Sequence, residues 1–173
     1  QIAEHSTFPE TAWLLIYGEL PTAQQPECWS NLLTRHEMLH EGLYKHFDGF
    51  PSGGHPMAIL SAMINATSTY NPDIIRMESP ETFQSAAARL LSKTRTIAAA
   101  AYKTSIGQPL VYPKPHLDYA SNFLPMMFSI PFKEYEPDPD IVGALSLILV
   151  LHADHEQNCS TSTVRMVASS GAN

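Results

Sequence analysis

An all-α fold is predicted by three observations. Helix-capping signals repeatedly precede apolar residues spaced three and four apart. No segment alternates polar and apolar side chains convincingly. Proline- and glycine-rich stretches break the chain into helix-sized pieces. Taken in order, Thr7-Phe8-Pro9-Glu10 reads as a capping box with proline near the first helical position. It opens a helix over 12–17 that Gly18 closes. Thr22 caps a second helix running to about residue 47, with Leu32, Leu33, Leu39, Leu43, Tyr44 and Phe47 forming its apolar stripe. After a loop over 49–54, His55-Pro56-Met57-Ala58 starts a small-residue helix to about residue 70.

Ser79-Pro80-Glu81 opens the longest candidate, 81–105, closed by Gly107. Its alanine-containing turns at 86–88 and 98–101 allow a neighbouring helix to approach closely. A proline-rich connector over 108–115 leads to a helix near 117–128, and a second connector carries Pro131, Pro137 and Pro139. Asp138-Pro139 supplies an N-cap and N1 pair for a helix over 140–155. The run at 144–151, apolar except for Ser146, would also suit a buried strand. However, the run extends back through Ile141 and Val142, which is long for a strand, and no other segment would pair with it.

Composition bounds the function. The chain has 173 residues, 44% of them hydrophobic and 16% charged, enough for one globular unit with a real core. A net charge of −7 argues against a nucleic-acid backbone or an anionic membrane as the main partner. Cys28 and Cys159 are the only cysteines, which suits reduced thiols and an intracellular setting. No segment reaches the ~20 apolar residues of a membrane span. The start at Gln1, without a methionine or a signal peptide, suggests an internal fragment.

Three constellations carry chemistry. His36-Glu37-Met38-Leu39-His40 satisfies the H-E-x-x-H pattern, in which two histidines hold zinc and glutamate activates water. His46 falls where a longer peptidase signature has its third ligand, but that signature needs glycine where Leu43 stands. If the helix continues past Gly42, His46 lies ~15 Å along the axis from His36 and on another face. A surface helix with polar neighbours one turn apart is then the simpler reading, and a zinc peptidase the enzyme alternative. His55, alone at a helix start, reads as a satisfied N-terminal histidine.

The third constellation is His152-Ala153-Asp154-His155-Glu156-Gln157-Asn158, set between the greasiest run of the chain and the hydroxyl-rich Ser160-Thr161-Ser162-Thr163. Groups that need water or partners rarely follow an apolar element unless they line a cavity. A metal reading lacks further ligands nearby. A Cys159–His155 nucleophile pair lacks an orienting third group. Histidines that cap a helix C-terminus are the plain alternative. The preferred reading is an anion site: Ser160 or Thr161 N-caps a helix carrying Val164, Met166 and Val167, whose free N–H groups face a small carboxylate beside His155 and Asn158. Arg165 lies one turn further in, where an ordinary solvated or ion-paired arginine is the simpler account.

Five blocks together resemble citrate synthase, with wording closer to its bacterial members. They are Tyr17-Gly18-Glu19-Leu20-Pro21-Thr22, His55-Pro56-Met57-Ala58, Ser105-Ile106-Gly107-Gln108-Pro109 with Val111-Tyr112-Pro113, Tyr119-Ala120-Ser121-Asn122-Phe123-Leu124, and the 152–158 block followed by Ser160-Thr161-Ser162-Thr163-Val164-Arg165. They occur in family order across nearly the whole chain. The resemblance implies a mostly helical fold with a large and a small domain, residues 1–173 forming part of the large one, and a homo-oligomer, dimer or hexamer. It implies condensation of acetyl-CoA with oxaloacetate and water to citrate and CoA, with acetyl-CoA as co-substrate and no separate cofactor or metal. In the family an aspartate takes a methyl proton of acetyl-CoA, one histidine supports the enol, and a second polarises the oxaloacetate carbonyl. Those residues belong to a Gly-Pro-x-His-Gly-Gly segment and the small domain, so no catalytic residue is expected within 1–173. What the resemblance assigns here is His155 as an oxaloacetate contact, with His152 and Asn158 around it. Cys159 stands where many relatives have alanine. A bacterial member would be cytoplasmic, a eukaryotic one mitochondrial. A non-catalytic helical interaction module is the alternative outside enzymes.

Overall fold

The computed structural model describes residues 5–75, 78–154 and 159–171. Among them the regular structure is helical: α1 Phe8–Tyr17, α2 Gln25–His36, α3 Glu41–His46, α4 Pro56–Tyr70, α5 Pro80–Ser105, α6 Tyr119–Phe128, α7 Pro139–Leu151 and α8 Cys159–Ser169. Short 3-10 turns follow α3 and α4, at Phe47–Gly49 and Pro72–Ile75. The described residues contain no strand; a single isolated bridge pairs Ile130 with Lys133. The all-α expectation holds.

The capping logic of the sequence is visible in atoms. The Thr7 backbone N–H donates to Glu10 Oε2 at 2.7 Å while Thr7 Oγ1 accepts from the Glu10 N–H, which completes the capping box of α1. Gly18 ends that helix at φ +81°, a left-handed conformation that a side chain would disfavour. Ser79 caps α5 reciprocally with Thr82, and Asp138 caps α7 with its carboxylate on the Asp140 N–H at 2.8 Å. His55 caps α4 by accepting from Met57 N at 3.2 Å, as the plain reading of that histidine predicts.

α5, 26 residues long, is the axis of the fold. Its alanine turns do what small residues allow. Ala88, at 0% exposure, lies in a core with Ala12, Trp29 and Leu33 from α1 and α2. Ala100 and Ala101 lie in a second core with Ile97, Leu43, Phe47, Ile59 and Met63 from α3, its following turn and α4. Each fully buried large apolar side chain contributes roughly 1.5–3 kcal/mol. α6 packs on the same axis, and α7 rests on α1 and α6.

Several boundaries differ from the sequence reading. The predicted helix over 22–47 is two helices, with a break at 37–40. Its cap is Gln24 rather than Thr22, and Thr22 instead donates its N–H to Gln25 Oε1 at 2.6 Å. The break is made by α5. Lys93 Nζ donates to the carbonyls of His36 (3.2 Å) and Met38 (2.7 Å), and Thr96 Oγ1 donates to the carbonyl of Glu37 (2.8 Å). Ser92 Oγ takes the Leu33 carbonyl. Carbonyls that a continuous helix would bond internally are thus satisfied across the interface. His40 then restarts the chain, its Nδ1 accepting from Gly42 N at 2.9 Å. α6 begins at Tyr119, where Asp118 caps it, and α7 ends at Leu151, short of the predicted residue 155.

Two phenols make the fold sensitive to alkali. Burial pushes the Tyr119 hydroxyl up to about 12, against the opposing pull of Arg95, and its O–H donates to the Leu91 carbonyl at 3.0 Å. Burial also pushes Tyr44 upward. An ordinary tyrosine ionises near ~10, so the stability these groups provide is complete below about pH 10 and is lost as pH rises toward about 12. Lys93 and Lys103 act with the opposite sign: burial lowers both, so their cost is fully present at low pH and is relieved as pH rises toward about 10.4. Loss of helical circular dichroism should therefore coincide with a late rise in tyrosinate absorbance. Complete tyrosine ionisation with the helices intact would contradict this assignment.

Candidate functional site

The predicted site divides at the edge of the described residues. His155 and Asn158 lie outside them. His152 is described: it is the C-cap of α7, exposed, with its ring Nδ1 2.8 Å from the Ile148 carbonyl. A carbonyl only accepts, so Nδ1 donates in this contact, and the ring is oriented by its own helix with Nε2 on its other side. Helix capping and site building are compatible here. Asp154 is exposed beside it.

The hydroxyl-rich stretch behaves differently from the expectation. Ser160 and Thr161 lie within α8 and not ahead of it, so neither is its N-cap. Thr163 Oγ1 folds back on the Cys159 carbonyl at 2.8 Å. Val164, Met166 and Val167 are exposed along α8, and Arg165 is exposed among them. Ile141, Leu147, Ile148 and Leu151 likewise leave an apolar face on α7. Ala153 borders a groove of ≈ 460 Å³ against Phe8, Leu15, Ala87 and Leu91, which sets the described start of the block beside α1 and α5.

The H-E-x-x-H pattern does not form a metal centre. His36 ends α2 and His40 lies beyond the break, so the two do not share a helix. Burial, with Arg89, Lys93 and Arg35, pushes the His36 imidazole below its ordinary range, and that concentration of positive charge would repel a metal cation as well as a proton. His40 spends its Nδ1 on capping, and His46 Nε2 lies 2.8 Å from the Tyr70 hydroxyl. No group of three metal-ligating side chains exists among the described residues. The zinc-peptidase alternative is not supported.

Nor is this segment the solvated surface helix of the simpler reading. Glu37 is 1% exposed and lies at the centre of a buried network. Arg95 Nη2 donates to Glu37 Oε2 at 2.5 Å, Asn122 Nδ2 donates to the same oxygen at 3.1 Å, and the Arg95 guanidinium stacks 4.5 Å over the Tyr119 ring. Asn122 also spans the 108–118 connector, accepting from Lys114 N and donating to Lys114 O, both at 2.9 Å. Burial pushes the Glu37 carboxyl upward, while Arg95 and Asn122 pull it back. Lys103, at 0% exposure, donates to the Gln108 amide oxygen at 2.7 Å and to the Ser129 carbonyl. The only advance signal was chemical oddity: lysines and arginines inside an alanine-rich core helix.

Comparison with known proteins matches this arrangement. The family model described as "Citrate synthase, C-terminal domain" matches residues 1–173. Citrate synthase 1 of Mycobacterium tuberculosis, in strains CDC 1551 / Oshkosh and H37Rv, is 50% identical over all 173 residues, which are 40% of its own length. The chain therefore spans about two fifths of these curated relatives. Among solved structures, citrate synthase from Pyrobaculum aerophilum superposes with a TM-score of 0.87 at 33% identity, covering 99% of this chain and 43% of that one. The Thermotoga maritima MSB8 enzyme gives 0.79 at 27% identity, covering 99% and 42%. The same helices in the same order, matched along the full chain, leave no room for the alternative readings: this chain belongs to the citrate synthase family.

Proposed function

We propose that this chain is part of a citrate synthase, an acyltransferase that condenses acetyl-CoA with oxaloacetate and water to give citrate and CoA. The observation that carries the reading is the 50% identity to Citrate synthase 1 across all 173 residues, the 152–158 block included. Residues 1–173 form part of the large helical domain, and the working protein is a homo-oligomer. The apolar faces left on α7 and α8 are compatible with burial against further protein. A bacterial source would place the enzyme in the cytoplasm. Among the described residues, no helix is long and apolar enough to cross a membrane.

His155 contacts oxaloacetate, with His152 and Asn158 beside it. The oriented His152 ring supports this reading, because Nδ1 is committed to its helix and only Nε2 remains for a partner. The proton-transfer residues belong to the Gly-Pro-x-His-Gly-Gly segment, which the 173 residues do not contain, and to the small domain. This part of the chain binds and orients substrate; the chemistry is completed elsewhere.

Calorimetry on the full-length protein tests the assignment. His155→Ala should weaken oxaloacetate binding at least tenfold, equivalent to about 1.4 kcal/mol. Unchanged affinity in a folded variant would remove His155 from the pocket. The 173-residue chain by itself should form no citrate in a thiol-release assay, and measurable turnover would place the catalytic groups within it.

A further inference from the structure

α3 is the shortest α-helix among the described residues, and it restarts the chain directly after the break that α5 imposes. Both of its ends are held by imidazoles that meet one tyrosine. At the start, His40 is the N-cap, and its Nδ1 accepts from the Gly42 N–H at 2.9 Å. At the finish, His46 Nε2 lies 2.8 Å from the Tyr70 hydroxyl. The Tyr70 ring, at the last residue of α4, stacks on His40 at 4.9 Å and 29° and meets the edge of His46 at 5.7 Å and 66°. Gly42 lets the three rings close up. A Cβ there would lie 2.7 Å from Tyr70 Cε1 and 3.0 Å from His40 Nδ1.

The two histidines answer a proton in opposite ways. Because the Gly42 N–H donates to His40 Nδ1, that nitrogen carries no hydrogen and the ring is neutral. A protonated His40 has a hydrogen on both nitrogens and nothing left to accept with, so the cap is lost. The imidazolium would also sit at the positive end of α3. His46 keeps its bond in either state, since the Tyr70 hydroxyl can donate to the neutral ring or accept from the charged one.

The neighbouring groups do not replace the lost acceptor. α4 brings only Tyr70. α3 itself carries Glu41, Tyr44, Lys45 and His46, and the turn after it carries Asp48. α5 reaches the break with Lys93, on the Met38 carbonyl at 2.7 Å, and with Arg95, whose partner is Glu37. Glu41 is exposed beside His40; its carboxylate attracts an imidazolium weakly and returns no acceptor to the Gly42 N–H. We propose that α3 and Tyr70 form an acid-sensitive clasp, in which a proton on His40 releases the first turn of α3 while the His46–Tyr70 bond keeps its far end in place. An imidazole ordinarily changes charge between about pH 8 and 5, so the clasp is closed at the upper end of that range and opens as pH falls. The device rests on contacts within the described residues and is independent of the catalytic assignment.

Hydrogen exchange read by mass spectrometry on the full-length protein tests it, with labelling times scaled for the intrinsic pH dependence of exchange. Between about pH 7.5 and 5.5, protection of the 41–46 segment is expected to fall about fivefold, the loss of one N-cap, while the middle of α5 keeps its protection. His40→Asn, which keeps a capping oxygen and takes no proton, should hold the protection of α3 constant across the same range. His46→Gln should leave the fall in place. Far-UV circular dichroism checks both variants, and His40→Ser, a second non-titrating cap, carries the test if His40→Asn misfolds. The proposal is overturned by equal protection of the wild type at both pH values, by a fall that persists without His40, or by a fall that His46→Gln abolishes.

Discussion

Glu37→Ala is expected to destabilise the fold by about 3–5 kcal/mol, because it leaves the buried guanidinium of Arg95 without its counter-charge. Arg95 is 95% buried by side-chain and backbone area together, and its Nη2 looks at Glu37 Oε2 from 2.5 Å. Asn122 would lose an acceptor in the same step. Removing one partner costs far more than the pair itself stabilises, since isolated charges are poorly tolerated at low dielectric. The double variant Glu37→Leu with Arg95→Met should therefore recover most of the loss. Urea denaturation of the wild type, Glu37→Leu, Arg95→Met and the double variant provides a double-mutant cycle. A single-variant loss below about 1 kcal/mol would mean that water reaches Arg95 and the network is not dry.

Phe47→Ala should cost a similar amount, about 3–5 kcal/mol, for an unrelated reason. Phe47 is 2% exposed and packs in the core formed with Leu43, Ile59, Met63 and Ile97. Truncation removes apolar burial and leaves a cavity between α3, α4 and α5 that their backbones cannot close, because α5 is pinned to the 36–38 carbonyls. Phe132 is the internal control. It is 88% exposed on the turn closed by the Ile130–Lys133 bridge, so Phe132→Ala should change stability by less than about 0.5 kcal/mol. Comparable losses for the two phenylalanines would show that the core is not organised around Phe47.

Local chemistry was legible wherever it was decided locally. Thr7, Ser79 and Asp138 sit before apolar periodic stretches and open or cap their helices as read from the sequence, whereas Asp118, which caps α6, falls inside the 117–128 helix of that reading, and Thr22 yields its expected place to Gln24. The alanine turns of α5 announced close packing. What stayed hidden was decided at long range. The pattern through Leu32, Leu39, Leu43 and Phe47 is that of one helix, and nothing nearby breaks it; the interruption comes from Ser92, Lys93 and Thr96, which lie 55–59 positions away. The same distance concealed Glu37, whose spacing to His36 and His40 imitated a zinc motif while its partner Arg95 lay 58 residues on. At the 152–158 block the sequence identified the residue types and the resemblance gave them roles. Position alone did not reveal that Ser160 and Thr161 fall inside α8.

The break between α2 and α3 also constrains the order of events when the chain folds. Residues 25–47 on their own carry a continuous helical pattern, and helices form within about a microsecond, long before distant segments meet. The break at 37–40 is completed only when α5 supplies Lys93 and Thr96, which take carbonyls that a continuous helix would bond internally. α5 thus acts on its neighbour as the template that decides where a helix stops.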